Sequence, residues 1–203
     1  MTIHPSTSYH KYNVTAYYAI HPAYGTMEDF EQLMAECNKR DIHVILDLVV
    51  NHTGSEHAWF KEATNYLRSL KGAEADPSAC KYLDYYYFSK ETGDGRRIVT
   101  GTGWFYEGVF DYAMPDLNLG SEAVRSEIKA IMEFWINKGV AGFRVDAAKE
   151  FYTGDPAKNI EVMNWLQTTA TSIDPDCYLV AEVWDSFTAI ADYYKSDFTS
   201  IFN

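Results

Sequence analysis

Hydrophobic positions along the chain switch repeatedly between two spacings. In four stretches the apolar residues recur every three or four positions, which is typical of amphipathic helices. Each stretch is followed by a short, mostly apolar run, which is typical of a buried strand. Helices and strands in such close alternation predict an α/β fold whose parallel strands form an open sheet or part of a (β/α)8 barrel. The four predicted helix–strand pairs are residues 26–40 with 43–49, 120–139 with 140–146, 156–172 with 177–182, and 186–195 with 198–202.

The alternation is interrupted between residues 53 and 113. About sixty residues separate the first strand from the next helix, which is far longer than a usual connection in an α/β fold. We therefore predict a small inserted domain at 53–113, between barrel parts at 1–52 and 114–203. Four predicted strands are too few to close an eight-stranded barrel. Within the insertion the sequence predicts a strand-like aromatic run at 82–88, a turn at 92–95 and a strand at 97–99.

Charge and composition exclude several classes of partner. The formal net charge of −12 argues against nucleic acid and against an anionic membrane surface, because both require a basic protein surface. No apolar run is long enough to span a bilayer. The 16 Tyr and 5 Trp suit a cleft that stacks on sugar rings, and equally a Tyr-rich core. Three cysteines without metal-site spacing, Cys37, Cys80 and Cys177, predict buried free thiols.

Three of the predicted strands carry an acidic residue at their C-terminal end, namely Asp47, Asp146 and Glu182. Parallel strands carry their active sites at the carboxyl ends, so these side chains are expected to meet at one edge of the sheet. Two neighbouring carboxylates can divide nucleophile and acid work on a glycosidic bond. Arg144 points the same way as Asp146 and favours its ionised form. On these residues alone, a structural Arg–Asp pair and an exposed strand-end glutamate remain alternatives.

Several ordered segments resemble the signatures of the α-amylase superfamily, glycoside hydrolase family 13. Residues 47–52, 142–150 and 182–184 resemble the first three signatures, and residues 114–118 resemble the extra signature that closes domain B. The resemblance covers nearly the whole chain and implies strands two to six of a TIM barrel, with domain B inserted after strand three. The segments 9–12 and 24–26 resemble the region after the second barrel strand.

The resemblance also implies roles for individual residues. Asp146 would be the nucleophile and Glu182 the general acid and then base of a retaining mechanism, in which the carboxyl groups lie about 5–5.5 Å apart. Alone, each of the other matching residues is more typical of packing than of ligand binding. The implied substrate-binding residues are His10, Tyr12, His52, Arg144 and Lys149.

A calcium site follows from the same resemblance. Asn51 and Asp116 match two oxygen ligands, and the backbone carbonyl of Glu150 stands where the family supplies a third. Calcium takes six to eight oxygens, so this set is incomplete. An Asn and an Asp that cap loops are the alternative.

The expected activity is retaining hydrolysis of α-1,4-glucans such as starch and maltooligosaccharides. Glu150 and residues 114–118 resemble the neopullulanase and cyclomaltodextrinase pattern, which is one alternative. An α-glucosidase-like hydrolase or transglycosylase is a further alternative. Asn13 argues against an exo-acting α-glucosidase. A non-enzymatic relative is disfavoured because both catalytic carboxylates are present. We expect a fragment whose third catalytic aspartate would lie beyond residue 203, and hence a chain inactive by itself. The sequence does not indicate an oligomeric state, and we expect an extracellular or cell-envelope location.

Overall fold

The structure is a computed structural model and describes residues 2–202. Helices and strands alternate along most of the chain. The α-helices are α1 Met27–Asn38, α2 Ala58–Ser69, α3 Glu122–Ile136, α4 Pro156–Ile173 and α5 Phe187–Tyr193. The strands are β1 Ile45–Leu48, β2 Phe88–Ser89, β3 Arg96–Ile98, β4 Phe105–Glu107, β5 Gly142–Val145, β6 Tyr178–Glu182 and β7 Ser200–Phe202. Short 3-10 helices span Pro22–Tyr24, Pro77–Ala79, Lys81–Leu83 and Ala148–Glu150.

The four predicted helix–strand pairs are confirmed, and their strands form one parallel sheet in the order β1-β5-β6-β7. The register aligns Asp47 with Arg144 and Arg144 with Val180. The strands are shorter than predicted, by up to two residues at each end. Sequence patterns mark the apolar stretch, whereas the strand proper ends where the ladder of hydrogen bonds ends.

Local capping explains where the helices begin. The Thr26 hydroxyl accepts from the backbone N–H of Asp29, and the Asp29 carboxylate accepts in return from the N–H of Thr26, which makes a capping box at the start of α1. Asp155 caps α4 and Ser186 caps α5 in the same manner, each accepting a backbone N–H three residues on. These polar side chains satisfy N–H groups that the first helical turn leaves unpaired.

The chain divides into two compact units. Among the described residues, the first unit comprises 2–3, 18–51 and 127–202, and it contains the parallel sheet. The second comprises 4–17 and 52–126, and it contains an antiparallel sheet in the order β2-β4-β3. The predicted insertion at 53–113 lies inside the second unit, which also includes 4–17 and 114–126.

The second unit departs from the sequence prediction in two places. The aromatic run at 82–88 is not a continuous strand: Lys81–Leu83 is a 3-10 helix, Tyr86 forms an isolated bridge with Leu117, and the strand β2 is limited to Phe88–Ser89. Tyr85 and Tyr86 are consecutive and both buried, and their rings meet Trp59 and Phe60 of α2. Helix α2 was not predicted, although its buried residues recur at helical spacing. Those residues are Trp59, Phe60, Ala63, Thr64 and Leu67.

The core of the first unit lies between the sheet and its helices. Phe143 and Leu179 from the strands are fully buried, as is Trp135 from α3. The Trp135 ring meets Phe30 of α1 edge to face, with centroids 5.3 Å apart. No helix within residues 2–202 has the length and apolar character to cross a membrane.

Candidate active site

The carboxyl ends of β1, β5 and β6 gather three carboxylates around Arg144. Its Nη1 donates to Asp146 Oδ1, and its Nη2 lies 2.8 Å from Glu182 Oε1. Asp47 Oδ2 lies 3.6 Å from the same Nη1. The four side chains are between 10% and 21% exposed, so this charge cluster is largely shielded from water. All four residues belong to the first unit.

Strand register explains the convergence. Val145 aligns with Ala181 across β5 and β6, so the next residues, Asp146 and Glu182, are neighbours at the ends of these strands. Arg144 precedes Asp146 by two positions and therefore lies on the same face of the sheet. The acidic strand ends thus meet as the sequence argument expected.

The second oxygen of Glu182 is held by the main chain. The backbone N–H of Ala147 donates to Glu182 Oε2 over 3.1 Å. Ala147 has φ 49° and ψ 40°, the left-handed conformation, which a residue with a Cβ adopts at an energetic cost. Both carboxylate oxygens of Glu182 therefore have fixed donors, one from Arg144 and one from this turn.

Burial dominates the acidity of Asp146. The pKa of Asp146 is raised from 3.8 to about 6, and desolvation by burial is the main cause. The negative charges of Glu182 and Asp47 also raise it, whereas the positive charge of Arg144 lowers it. Arg144 acts in the predicted direction, but the prediction that it keeps Asp146 readily ionised neglected burial. One guanidinium does not offset desolvation and two neighbouring carboxylates.

Lys149 lies shortly after the end of β5 and contacts two acidic side chains. Its Nζ lies 3.0 Å from Asp185 Oδ2 and 3.7 Å from Glu150 Oε1. The hydrogen bond to Asp185 is the main reason that the pKa of Lys149 is raised. The ammonium group is therefore a fixed cation beside the loop that follows Glu182.

The remaining predicted sugar-binding residues lie in the second unit. The exposed ring of His10 stacks on Tyr12, with centroids 5.8 Å apart and planes 22° apart. His52 is only 2% exposed and its ring lies 5.5 Å from that of Phe110. Burial lowers the pKa of His52 to about 4, so its imidazole is neutral at pH 7.

The predicted calcium ligands are divided between the two units. Asn51 and Glu150 lie in the first unit and Asp116 in the second. Asp116 is buried, and its Oδ2 accepts from the N–H of Val109 over 3.0 Å. Residues 2–202 contain no group of three or more His, Cys, Asp or Glu placed to hold a metal. The three predicted donors leave the rest of the six to eight calcium oxygens to other groups or to water.

Sequence reasoning missed the residues that support this site. Ala147 carried no signal, because a backbone donor has no side-chain signature. Asp185 follows Glu182 by three positions, and nothing in its place in the sequence marks it as the partner of Lys149. Asn159 had a signal, since it stands in line with the buried Val162 and Met163 on an otherwise apolar face of α4.

Residues 2–201 match the family model for the alpha amylase catalytic domain. The chain belongs to the α-amylase family. This confirms the resemblance to glycoside hydrolase family 13, and the structural neighbours identify the parallel sheet as part of a TIM barrel.

Relatives within the α-amylase family carry several different names. Alpha-amylase 3 of Dictyoglomus thermophilum is 47% identical over 198 residues, which is 96% of this chain and 37% of that protein. Glucan 1,6-alpha-glucosidase of Streptococcus pneumoniae is 36% identical over 200 residues, which is 91% of this chain and 35% of that protein. The chain thus spans a little over a third of the length of these relatives.

Solved α-amylase family structures superimpose closely. Eubacterium rectale Amy13B matches with a TM-score of 0.96 and 47% identity, covering 100% of this chain and 39% of the other. A trehalose-6-phosphate hydrolase of Bacillus licheniformis matches with a TM-score of 0.84 and 31% identity, covering 100% and 40%. The predicted partial barrel is confirmed.

Proposed function

We propose that this chain carries the nucleophile and the acid/base of a retaining α-glucoside hydrolase that acts on α-1,4-glucans such as starch and maltooligosaccharides. The proposal rests on the ion pairs that Arg144 forms with both Asp146 and Glu182. Both carboxylates therefore border one space at the strand ends, and membership of the family supports the retaining chemistry, in which such a pair works through a covalent intermediate. Identity to a named alpha-amylase supports the α-1,4 linkage.

In the first step, Asp146 attacks the anomeric carbon while Glu182 gives its proton to the leaving glycosidic oxygen. In the second step, Glu182 takes a proton from water, the water oxygen attacks the anomeric carbon, and the bond to Asp146 breaks. Arg144 and the N–H of Ala147 keep the Glu182 carboxylate aimed throughout. Arg144 also stabilises the Asp146 carboxylate as it leaves.

The raised pKa of Asp146 bears on how activity depends on pH. Attack requires the ionised carboxylate, so the rate of glycosyl transfer to Asp146 increases as pH rises through about 6. A profile of kcat/KM against pH should show this increase.

Substrate contacts are proposed from the family resemblance and local geometry. The half-buried ring of Tyr12, with His10 stacked against it, suits a platform for an apolar sugar face. Lys149, held by Asp185, suits a hydroxyl on the leaving-group side. Neutral His52 suits a hydrogen bond to sugar.

Two variants test the roles of the carboxylates. In an active protein that contains this chain, Glu182→Gln should reduce kcat/KM, which reports the first step alone, by about 10²–10⁴ on maltooligosaccharides, because general acid catalysis is lost. It should lose much less on an aryl α-glucoside whose leaving group needs no proton. Asp146→Asn should be inactive on both substrates. Equal losses of Glu182→Gln on both substrates would contradict the acid role, and a β-anomer as the first product by NMR would contradict retention.

A second candidate is an α-glucosidase-like hydrolase or transglycosylase, which relatives named glucan 1,6-alpha-glucosidase and trehalose-6-phosphate hydrolase favour. Neopullulanase-like or cyclomaltodextrinase-like action is a third variant of the same chemistry. Product analysis on starch, pullulan, cyclodextrin and isomaltose separates them. Isomaltose cleaved faster than maltotetraose would overturn the α-1,4 preference.

The 203-residue chain by itself is proposed to be inactive, because the family uses a third catalytic carboxylate to brace the sugar. Among the described residues, Asp47 is the further carboxylate at Arg144, and its match to the first signature assigns it to the floor of the site. The chain should be assayed for release of reducing ends from starch, alone and with any flanking sequence that its gene encodes. Activity of the chain alone would overturn this part.

A further inference from the structure

Asn159 is an amide buried completely in the first unit. It lies on α4 with 0% of its surface exposed. Its Oδ1 accepts from the N–H of Tyr152 over 2.7 Å, and its Nδ2 donates to the carbonyl of Lys149 over 2.5 Å and to the hydroxyl of Tyr193 over 3.1 Å. Both donors and the acceptor of the amide are therefore used, which fixes its orientation.

Two of these bonds hold the turn that follows β5. The N–H of Glu150 donates to the carbonyl of Ala147 over 2.9 Å, which closes the 3-10 helix Ala148–Glu150. Asn159 anchors the end of this turn. The start of the turn is Ala147, whose N–H reaches Glu182 Oε2. A short hydrogen-bonded path thus joins the buried amide to the carboxylate.

The third bond extends the anchor to the chain that follows β6. Tyr193 lies near the end of α5 and is 4% exposed. Lys149 adds a second link between the same two segments, because its Nζ lies 3.0 Å from Asp185 Oδ2. The side-chain amide of Asn159 thus contacts both the turn after β5 and helix α5.

We infer that Asn159 is a positioning residue for Glu182: it holds the turn Ala147–Tyr152 so that the N–H of Ala147 meets the carboxylate. The inference rests on the proposed role of Glu182 as acid/base. The turn needs an anchor because Ala147 adopts the left-handed conformation, which is unfavourable for a residue with a Cβ. Without the anchor the turn would move to a more favourable backbone conformation. Asn159 touches neither substrate nor carboxylate, and it acts through the backbone.

The amide of Ala147 reports this contact without any need for turnover. In the ¹⁵N-labelled chain, the Ala147 amide proton shift should change with pH as the carboxylates take up protons. Asp146 is adjacent in sequence and contributes to this change, and Arg144 and Asp47 face the same cluster. Glu182→Gln therefore defines the part of the response that belongs to Glu182.

Asn159→Ser and Asn159→Asp should lose the Glu182 part of the Ala147 response and resemble Glu182→Gln. Tyr193→Phe, which deletes one of the three bonds and leaves the amide in place, should reduce it. The matched control is Asn164→Ser on the same helix, whose Oδ1 accepts from the N–H of Asp197 over 2.8 Å and which should keep the wild-type response.

Folded Asn159 variants with a wild-type Ala147 response would overturn the inference. So would loss of the folded state in every Asn159 and Tyr193 variant while Asn164→Ser stays folded, since the role would then be general stability. The proposed function fails separately. Absence of glycosidic cleavage in the protein that contains this chain, with the Ala147 response intact and sensitive to Asn159, would reject the hydrolase assignment and keep the positioning role.

Discussion

Arg144 Nη2 lies 2.8 Å from Glu182 Oε1, so a residue inside β5 holds the carboxylate at the end of β6. The same guanidinium contacts Asp146 and lies 3.6 Å from Asp47. One positive charge thus faces three carboxylates at a mostly buried position. Burial is the main cause of the raised pKa of Asp146, and the two neighbouring carboxylates raise it further. The cluster is therefore a source of both reactivity and instability.

Replacing Arg144 should destabilise the fold most strongly when the carboxylates are ionised. Arg144→Gln leaves them without their cation, so the free energy of unfolding should fall by about 3 kcal/mol at pH 7.5. The loss should be smaller at pH 5, where proton uptake neutralises part of the cluster. Urea unfolding at both pH values measures this. Arg40→Gln, which removes an exposed ion pair with Glu36, should change stability by less than about 1 kcal/mol. An equal loss for Arg144→Gln at both pH values would contradict the charge argument.

The pKa of Asp146 predicts a pH-dependent stability. The folded chain binds this proton more tightly than the unfolded chain, because the pKa is about 6 when folded and 3.8 ordinarily. Stability is therefore lost as pH rises from about 4 to about 6 and then levels off. Asp146→Asn mimics the protonated form and should be more stable than wild type by roughly 3 kcal/mol at pH 7.5, at about 1.4 kcal/mol per pKa unit. The difference should vanish near pH 3.5.

The control for that experiment is Asp192→Asn, which alters an exposed carboxylate 2.7 Å from Lys195. Its stability should follow the wild-type pH profile. If Asp146→Asn were less stable than wild type at pH 7.5, the attraction to Arg144 would outweigh burial and the assigned direction of the pKa shift would be wrong.

Calcium remains a prediction from the resemblance and is tested by chelation. If Asp116 contributes a ligand, EDTA should lower the Tm of the wild-type protein and leave Asp116→Asn unchanged. Asp111→Asn is a matched control from the same unit, since Asp111 Oδ1 also accepts a backbone N–H, from Ala113 over 2.8 Å. It should keep the EDTA response. A wild-type Tm that does not respond to EDTA would remove calcium from the account.

Gly142 is required by the close approach of β6 to β5. A Cβ built at Gly142 would lie 1.9 Å from the carbonyl oxygen of Tyr178, which is backbone and is held in the ladder. Gly142→Ala should lower the free energy of unfolding by about 3 kcal/mol or more. Gly103→Ala, where the Cβ meets nothing within 4 Å, should be nearly neutral. Thermal unfolding of both variants checks this, and comparable Tm values would refute the steric reason.

The regular parts of the fold were open to prediction because their information is local. Helical spacing over 26–40 and the capping residue Thr26 both depend on side chains within one or two turns. The run at 82–88 was misleading because several of its aromatic rings pack on Trp59 and Phe60 of α2. Burial of Tyr85 and Tyr86 side by side is a tertiary fact that no periodicity records.

The sequence by itself determined the helix–strand order, the parallel sheet and the acidic strand ends that carry the family signatures. Only the tertiary structure decided how these groups interact. It set the desolvation that outweighs Arg144 at Asp146, the backbone N–H of Ala147 that holds Glu182, and the buried amide of Asn159 that holds the turn. The reason is physical: periodicity and motifs are properties of neighbours along the chain, whereas desolvation and backbone hydrogen bonds depend on segments that only folding brings together.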